Sequence, residues 1–310
     1  MHANFWDTTP GAAPGGAQEP SSAAGHNTGN GTGSSIDYGD FFCMMGIGFP
    51  GQYNQYHKWN LGWIADSAVT MFNGTTNASS TIRLYAMDAP LVLQNRQHAI
   101  RIRRSADREY WFQYRTEISA NDYLQNGLQV LWSGNGVTGA QNGDSDLLDM
   151  TPNSTLAKTD SPLPIGQTFH DPQINLFITP LNRTGGGSNA FMDVVVNIGH
   201  FPTNVAPTNV SLTADSVAIA PGGSVTFTAA FVDPNNDLLA YHWDFADLSV
   251  STNSAVISHT FTNAGEYVVR CVATDMKGGT ASKSIVVTVG NPGTFRISGI
   301  VRFEQGFIPV

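Results

Sequence analysis

The chain has 310 residues, enough for two or three domains with hydrophobic cores of their own. Only 13% of residues are charged, while Gly numbers 32 and Pro 16, a composition of β-rich, loop-rich extracellular proteins rather than helical cytosolic ones. A formal charge of −9 argues against a nucleic-acid partner, because neutralising phosphates needs clustered Lys and Arg.

No apolar run approaches the roughly 18 residues needed to span a bilayer, and no basic-then-apolar leader opens the chain. Met1 is followed directly by residues that read as the middle of a motif, so the natural start is expected upstream. The two cysteines, Cys43 and Cys271, fall in segments that look like different domains. Two thiols make no disulfide framework, and both are expected to behave as small buried apolar residues.

In chain order, residues 1–6 are aromatic and residues 7–36 read as a long Gly/Pro/Ser/Thr/Asn loop. His26 lies in that loop as an exposed histidine. Residues 37–63 hold a Cys43-Met44-Met45-Gly46 turn and a Gly/Pro elbow. A short helix is predicted over 53–61, from Tyr53, Tyr56, His57 and Leu61 on one face. His57 there reads as a packing residue rather than a metal ligand.

After Trp63 the texture becomes that of strands. Residues 69–71, 81–85, 99–103, 110–114, 128–132, 174–179 and 192–198 are short alternating or β-branched runs, with Gly, Asn, Asp and Pro between them. They predict an antiparallel sandwich. The basic run from Arg101 to Arg104 alternates with an apolar residue and reads as the solvated face of a strand. Residues 144–149 place three aspartates near one another but lack the Gly and terminal Glu of an EF-hand, and their apolar pair predicts a packed edge segment.

Residues 204–209 read as a linker. Beyond it, strands are predicted at 225–232, 239–244, 255–261, 265–275 and 280–289. The turn at 233–237 is rich in Asp and Asn. Asp233, Asn235 and Asp237 are either a plain Asx-rich turn or a calcium-holding one. Residues 291–310 begin a new strand pattern.

This second β unit resembles a polycystic-kidney-disease (PKD) domain. The resemblance rests on Tyr241-His242-Trp243-Asp244-Phe245-Ala246-Asp247, His259-Thr260-Phe261, Gly265-Glu266-Tyr267-Val268-Val269 and Asp275-Met276-Lys277-Gly278. Ala246 and Leu248 stand where the family has glycines. It implies an immunoglobulin-like sandwich with Trp243, Phe245, Phe261 and Tyr267 as its aromatic core.

The N-terminal part resembles the end of a metzincin-type zinc peptidase. That family's His-Glu-x-x-His-x-x-Gly-x-x-His presents three imidazoles to one zinc, and its Glu is the general base. His-Glu-x-x-His is absent here, so no catalytic residue is assigned. His2 looks like the motif's last histidine, and the stretch from Tyr38 to Gly46 looks like the Met-turn, with Met45 beneath the metal. The phrases from Tyr110 to Arg115, Leu147 to Pro152 and Leu163 to Phe169 resemble the β-domain that follows the catalytic domain in such peptidases.

Together these readings give a mainly β chain. Residues 1–63 are the remnant of an α/β metzincin catalytic domain, 64–203 a β-sandwich, 204–290 a PKD sandwich, and 291–310 the start of a further β module. The resemblance implies a secreted or cell-surface zinc endopeptidase acting on extracellular proteins, monomeric and inactive as this chain alone, with zinc and, at the 233–237 turn, calcium as cofactors. The rival reading is a non-catalytic adhesion protein whose β-modules bind polysaccharide or protein.

Overall fold

The computed structural model describes residues 2–8, 33–36, 38–46, 52–89, 95–106, 108–116, 120–134, 144–151, 154 and 156–291. The expectations for His26, for most of the 7–36 loop and for the strand pattern of the last residues lie outside the described residues.

The first half builds two sheets. The strands are β1 (Ala3–Thr8), β2 (Gly33–Ile36), β3 (Val69–Asn73), β4 (Ala78–Tyr85), β5 (Ala99–Arg103), β6 (Arg108–Gln113), β7 (Gly127–Gly134), β8 (Ser145–Leu148), β9 (Leu163–Pro164), β10 (Phe169–Asp171), β11 (Leu176–Pro180) and β12 (Phe191–Ile198). The larger sheet runs β2-β1-β8-β7-β6-β5-β3, with β9 on β7, and the smaller runs β10-β11-β12-β4. Alternation aims Tyr110, Phe112, Val130, Trp132 and Leu148 of the large sheet at Leu176, Ile178, Met192, Val194 and Val196 of the small one, and these form the main core.

Strand β6 is buried on both faces, which a two-layer sandwich alone does not require. Its second face carries Trp111 and Gln113, and residues 42–46 and 52–64 close over it. Phe42, Tyr56 and Ile64 join Trp111, Leu131 and Leu147 in a separate apolar cluster. The sheet is also continuous across residues 63 and 64, because β1 pairs in parallel with β8, Ala3 opposite Ser145. The division of the chain at 63/64 therefore falls inside one hydrogen-bonded sheet.

Several local expectations are corrected. The sandwich is not purely antiparallel, since β1 with β8 and β3 with β5 are parallel pairs. Residues 7–8 and 33–36 of the expected loop are the ends of an antiparallel strand pair, with Thr8 opposite Gly33. The 144–149 segment lies between β1 and β7 instead of at an edge. The helix forms only over Gln55–Asn60 (α1), with Asn54 as its N-cap. The Arg101–Arg104 run is solvated only at Arg103: Arg101 pairs with Glu109 beside Trp59 and Trp111, and Arg104 is buried against Asp171 at 2.5 Å. Their long stems cover aromatic surface while carboxylates meet the charge.

The second half is a sandwich of β13 (Thr208–Ala214), β15 (Gly223–Val232) and β17 (Val256–Phe261) against β14 (Ala218–Ile219), β19 (Thr280–Val289), β18 (Gly265–Thr274) and β16 (Ala240–Asp244). Strand β13 starts within the expected linker. Between the sheets lie Phe227, Trp243, Phe245, Phe261 and Cys271, with half-buried Tyr267 packed against them, much as the aromatic pattern predicts. Trp243 donates its indole N–H to the Ser254 carbonyl at 2.8 Å, so its one polar atom is satisfied inside the core. Both cysteines are free and buried. Burial pushes the Cys43 thiol up to about 11 and the Cys271 thiol to about 12, so both stay protonated.

Candidate functional site

The two segments singled out by the peptidase resemblance lie side by side. Ala3 donates its N–H to the Met45 carbonyl at 3.0 Å, and Asp40 donates to the Ala3 carbonyl at 3.1 Å. Gly46 permits this approach, because a Cβ there would lie 2.1 Å from the Asp40 carbonyl oxygen. The His2 main chain is fixed by its N–H to Asp144 Oδ1 at 2.6 Å, and the Ser145 N–H returns to the His2 carbonyl at 3.1 Å. Tyr38, in the left-handed region at φ 55°, packs against the His2 ring at 4.3 Å between centroids with the planes tilted by 32°, and its hydroxyl lies 2.8 Å from His2 Nε2.

Behind this turn the sheet carries a layer of buried polar groups. The Cys43 Sγ lies 3.5 Å from His57 Nδ1 and accepts the Asn54 N–H at 3.4 Å. Asn54 caps α1 through its Oδ1 on the His57 N–H at 2.9 Å, while its Nδ2 donates to Ser145 Oγ at 2.8 Å. Gln55 N–H donates to Gln113 Oε1 at 2.7 Å, and Gln113 in turn donates to Gln129. Lys58 donates to Gln52 Oε1 at 2.7 Å and to the Met87 carbonyl at 2.9 Å. Burial first, and then the charge of Arg115, lower the Lys58 ammonium to about 8.

His57 is thus placed as a packing residue within this layer, away from any cluster of metal-ligating side chains. Among the described residues no group of three or more His, Cys, Asp or Glu side chains is placed to hold a metal ion. His2 is a single imidazole, and three or four donors are needed for a firm zinc site. The residues present do not fit zinc on their own.

At the 233–237 turn, Asp233 Oδ1 accepts the N–H groups of Asn235 at 2.8 Å and Asp237 at 3.0 Å, the geometry of an Asx-type turn. Asn235 Oδ1 accepts the Val205 N–H at 2.7 Å. Lys277 Nζ stands 2.5 Å from Asp237 Oδ1, where a bound cation would be expected. With Asn235 taken up by Val205 and Asp237 by Lys277, these three side chains fall short of the six or so oxygen ligands of calcium.

Sequence reasoning passed over Tyr38, Lys58 and Arg115 as individuals. Tyr38 and Arg115 appear in the quoted motifs, but only contacts between distant segments reveal what each faces.

Comparisons with known proteins bear on the second half of the chain. The PKD domain family matches residues 204–289. No curated protein matches the chain. Among solved structures, the PKD domain of an M14-like peptidase from a Thermoplasmatales archaeon is 24% identical, covering 28% of this chain and 99% of that one at a TM-score of 0.26. The PKD1 domain of Vibrio anguillarum Epp is 29% identical over 29% of this chain and 99% of its own, at 0.25. The PKD1 domain of the Vibrio cholerae metalloprotease PrtV is 25% identical over 28% and 100%, at 0.24. Residues 204–289 carry a PKD domain.

Proposed function

We propose that this chain is a portion of a secreted zinc endopeptidase, in which residues 1–63 belong to the floor of the catalytic centre and the PKD domain is a docked accessory. The observation that carries this reading is the contact between His2–Ala3 and the turn from Tyr38 to Gly46. Two segments apart in sequence, which separately resemble the last zinc histidine and the Met-turn, meet through paired main-chain bonds and the Tyr38–His2 contact.

In this reading the chain's own contribution is positional. Asp144 and the β1–β8 pairing fix the main chain at His2, and Tyr38 fixes the ring. Its substrate class is extracellular protein. The adhesion reading draws no support from the PKD aromatics, because Trp243, Phe245 and Phe261 are buried in the domain core instead of forming an exposed platform.

Two experiments test the proposal. The reading frame upstream of Met1 is expected to encode His-Glu-x-x-His-x-x-Gly; a secretion signal joined directly to His2 would overturn it. Calorimetric titration of this chain with zinc should give no tight site that depends on His2. Tight stoichiometric zinc lost in His2→Ala would contradict the incomplete ligand set.

A further inference from the structure

The turn between β3 and β4 joins an end strand of each sheet of the first sandwich. Strand β3 ends the large sheet, β4 ends the small one, and residues 74–77 connect them. The Asn73 carbonyl accepts the Thr76 N–H at 3.0 Å, and Gly74 donates its N–H to the Arg103 carbonyl at 2.8 Å. Glycine is required at 74, because a Cβ there would lie 2.7 Å from the Arg103 carbonyl oxygen and 2.8 Å from Ile174 Cδ1. Asn73 and Thr75 are both exposed. Asn73 Oδ1 accepts the Thr75 N–H at 3.1 Å and the Thr75 hydroxyl at 3.0 Å, while its Nδ2 bonds no described residue.

Asn73-Gly74-Thr75 is the Asn-x-Ser/Thr pattern of an asparagine that accepts sugar. Such triplets arise by chance in a chain rich in Asn, Ser and Thr, so geometry has to choose among them. Among the described residues the pattern recurs at Asn77, Asn182 and Asn209. Asn182 spends both amide atoms on Asp193: its Oδ1 accepts the Asp193 N–H at 3.1 Å, and its Nδ2 donates to the carboxylate at 3.1 Å. Asn209 is half-buried in β13, and its Nδ2 donates to the Ser211 carbonyl at 3.3 Å. Sugar on either nitrogen would displace a bond that the folded chain makes. Asn77 is exposed but packs on the backbone beyond β12, where a Cβ on Gly199 would lie 2.6 Å from its Oδ1. Asn73 combines exposure, an unengaged Nδ2 and a hydroxyl already bonded to its own amide.

We propose that Asn73 is the acceptor for an asparagine-linked oligosaccharide, added as the chain passes through a glycosylating secretory compartment. The donor is a lipid-linked oligosaccharide pyrophosphate. Its anomeric carbon bonds to Asn73 Nδ2 and its bond to the pyrophosphate oxygen breaks; the amide gives up one proton, and the lipid pyrophosphate leaves with the electron pair. The bulky, solubilising glycan stands at the corner where the end strands of the two sheets meet, and open strand edges are what exported β-proteins must keep from pairing with other chains. The inference rests on the secretion in the proposed function and not on its zinc chemistry.

The test is expression of the full chain behind a secretion signal in a eukaryotic host. Peptides from the cell-associated and the secreted pools are treated with peptide N-glycanase in heavy-oxygen water and mapped by mass spectrometry. Asn73 is expected to appear as labelled aspartate in most chains, with Asn182 and Asn209 unlabelled in the secreted pool. Thr75→Ala should abolish the label at Asn73 and Thr75→Ser should restore it. Reading both pools keeps the result decisive for a variant that folds poorly. A bare Asn73 in both pools, or label at Asn77 in its place, would overturn the assignment and leave the peptidase reading to the upstream reading frame. Label on Asn182 or Asn209 in the secreted pool would overturn the geometric choice.

Discussion

Ala246 and Leu248 both lie in the left-handed region, at φ 61° and 66°, in the turn that follows Phe245. A side chain there costs about 1 kcal/mol or more, which is why glycine is the usual occupant. The turn is held by its neighbours. Asp244 Oδ1 accepts the Ala246 N–H at 2.8 Å, and Asp247 takes the Ser249 N–H at 3.1 Å on one oxygen and His259 Nε2 at 2.6 Å on the other. Ala246→Gly should therefore raise stability by about 0.5–1 kcal/mol, the relief of strain less the added freedom of the unfolded chain; urea unfolding reads it directly. In the same domain Trp243→Ala should lower stability by about 3–5 kcal/mol, as for any large aromatic removed from a packed core. A near-neutral result would make Trp243 dispensable for packing. Burial pushes the Asp247 carboxyl up, but the hydrogen bonds from Ser249 and His259 outweigh it and hold it below the usual range. With the folded value depressed, its contribution is complete above the ordinary Asp range and fades as pH falls through that lowered value.

A helix of six residues cannot hold itself in water, so α1 exists because its cap and its buried face are tied to the sheet. Asn54 does both: one side-chain atom caps the helix and the other reaches Ser145 on β8. Asn54→Ala should cost about 2 kcal/mol, a cap plus an orphaned buried group, with amide protons of residues 55–60 exchanging faster than those of β6. Uniform exchange across both elements would show that α1 is held by packing alone. This helix also marks how far the sequence could be read. Spacing of Tyr56 and His57 predicted a helix, and the runs that became β5, β7, β12, β15, β18 and β19 carried visible alternation or β-branched density. What stayed hidden is short and long-range. Residues 3–8 and 145–148 are too brief to announce strands, and become strands by pairing with partners far along the chain. The alternating arginines looked solvated because sequence alone does not place Asp171 beside Arg104. The contact of His2 with Tyr38 was legible as an order of motifs, but its atoms were not.

The first sandwich and the PKD domain are docked, not strung on a loose linker. Asn197 Nδ2 donates to the Met276 carbonyl at 2.8 Å, and Thr168 and Thr274 share a hydroxyl bond at 3.1 Å. In the helical turn Asp122–Gln125 (α2), the Tyr123 hydroxyl donates to the Leu248 carbonyl. His242 Nδ1 meets the Ile165 carbonyl at 3.2 Å, and burial at this junction holds its imidazole below the usual value. A lowered folded value means the neutral ring is the one that fits. Its contribution is complete above the ordinary His value of about 6.5 and is lost as pH falls through the lowered one. Comparing unfolding midpoints from about pH 7.5 to 5 for wild type and His242→Gln should give a shallower slope in the variant, since Gln can still donate to Ile165 but takes up no proton.

The two sandwiches also meet backbone to backbone at Gly166, whose φ is 84° and where a Cβ would lie 1.9 Å from the Tyr241 carbonyl oxygen. The obstacle is backbone on both sides, so neither partner can swing aside as a flexible side chain would. Gly166→Ala must strain the turn by about 1–3 kcal/mol or push the two sandwiches apart. Each sandwich keeps its own apolar core, so separation need not unfold either. Calorimetry should accordingly find one transition in the wild type and two in Gly166→Ala. The lower would fall in the range moved by the first sandwich's variants such as Asn54→Ala, and the upper in that moved by Trp243→Ala, or the reverse. A single transition in Gly166→Ala, merely displaced, would mean that the junction yields locally and that coupling runs through Asn197, Tyr123 and Thr168 instead.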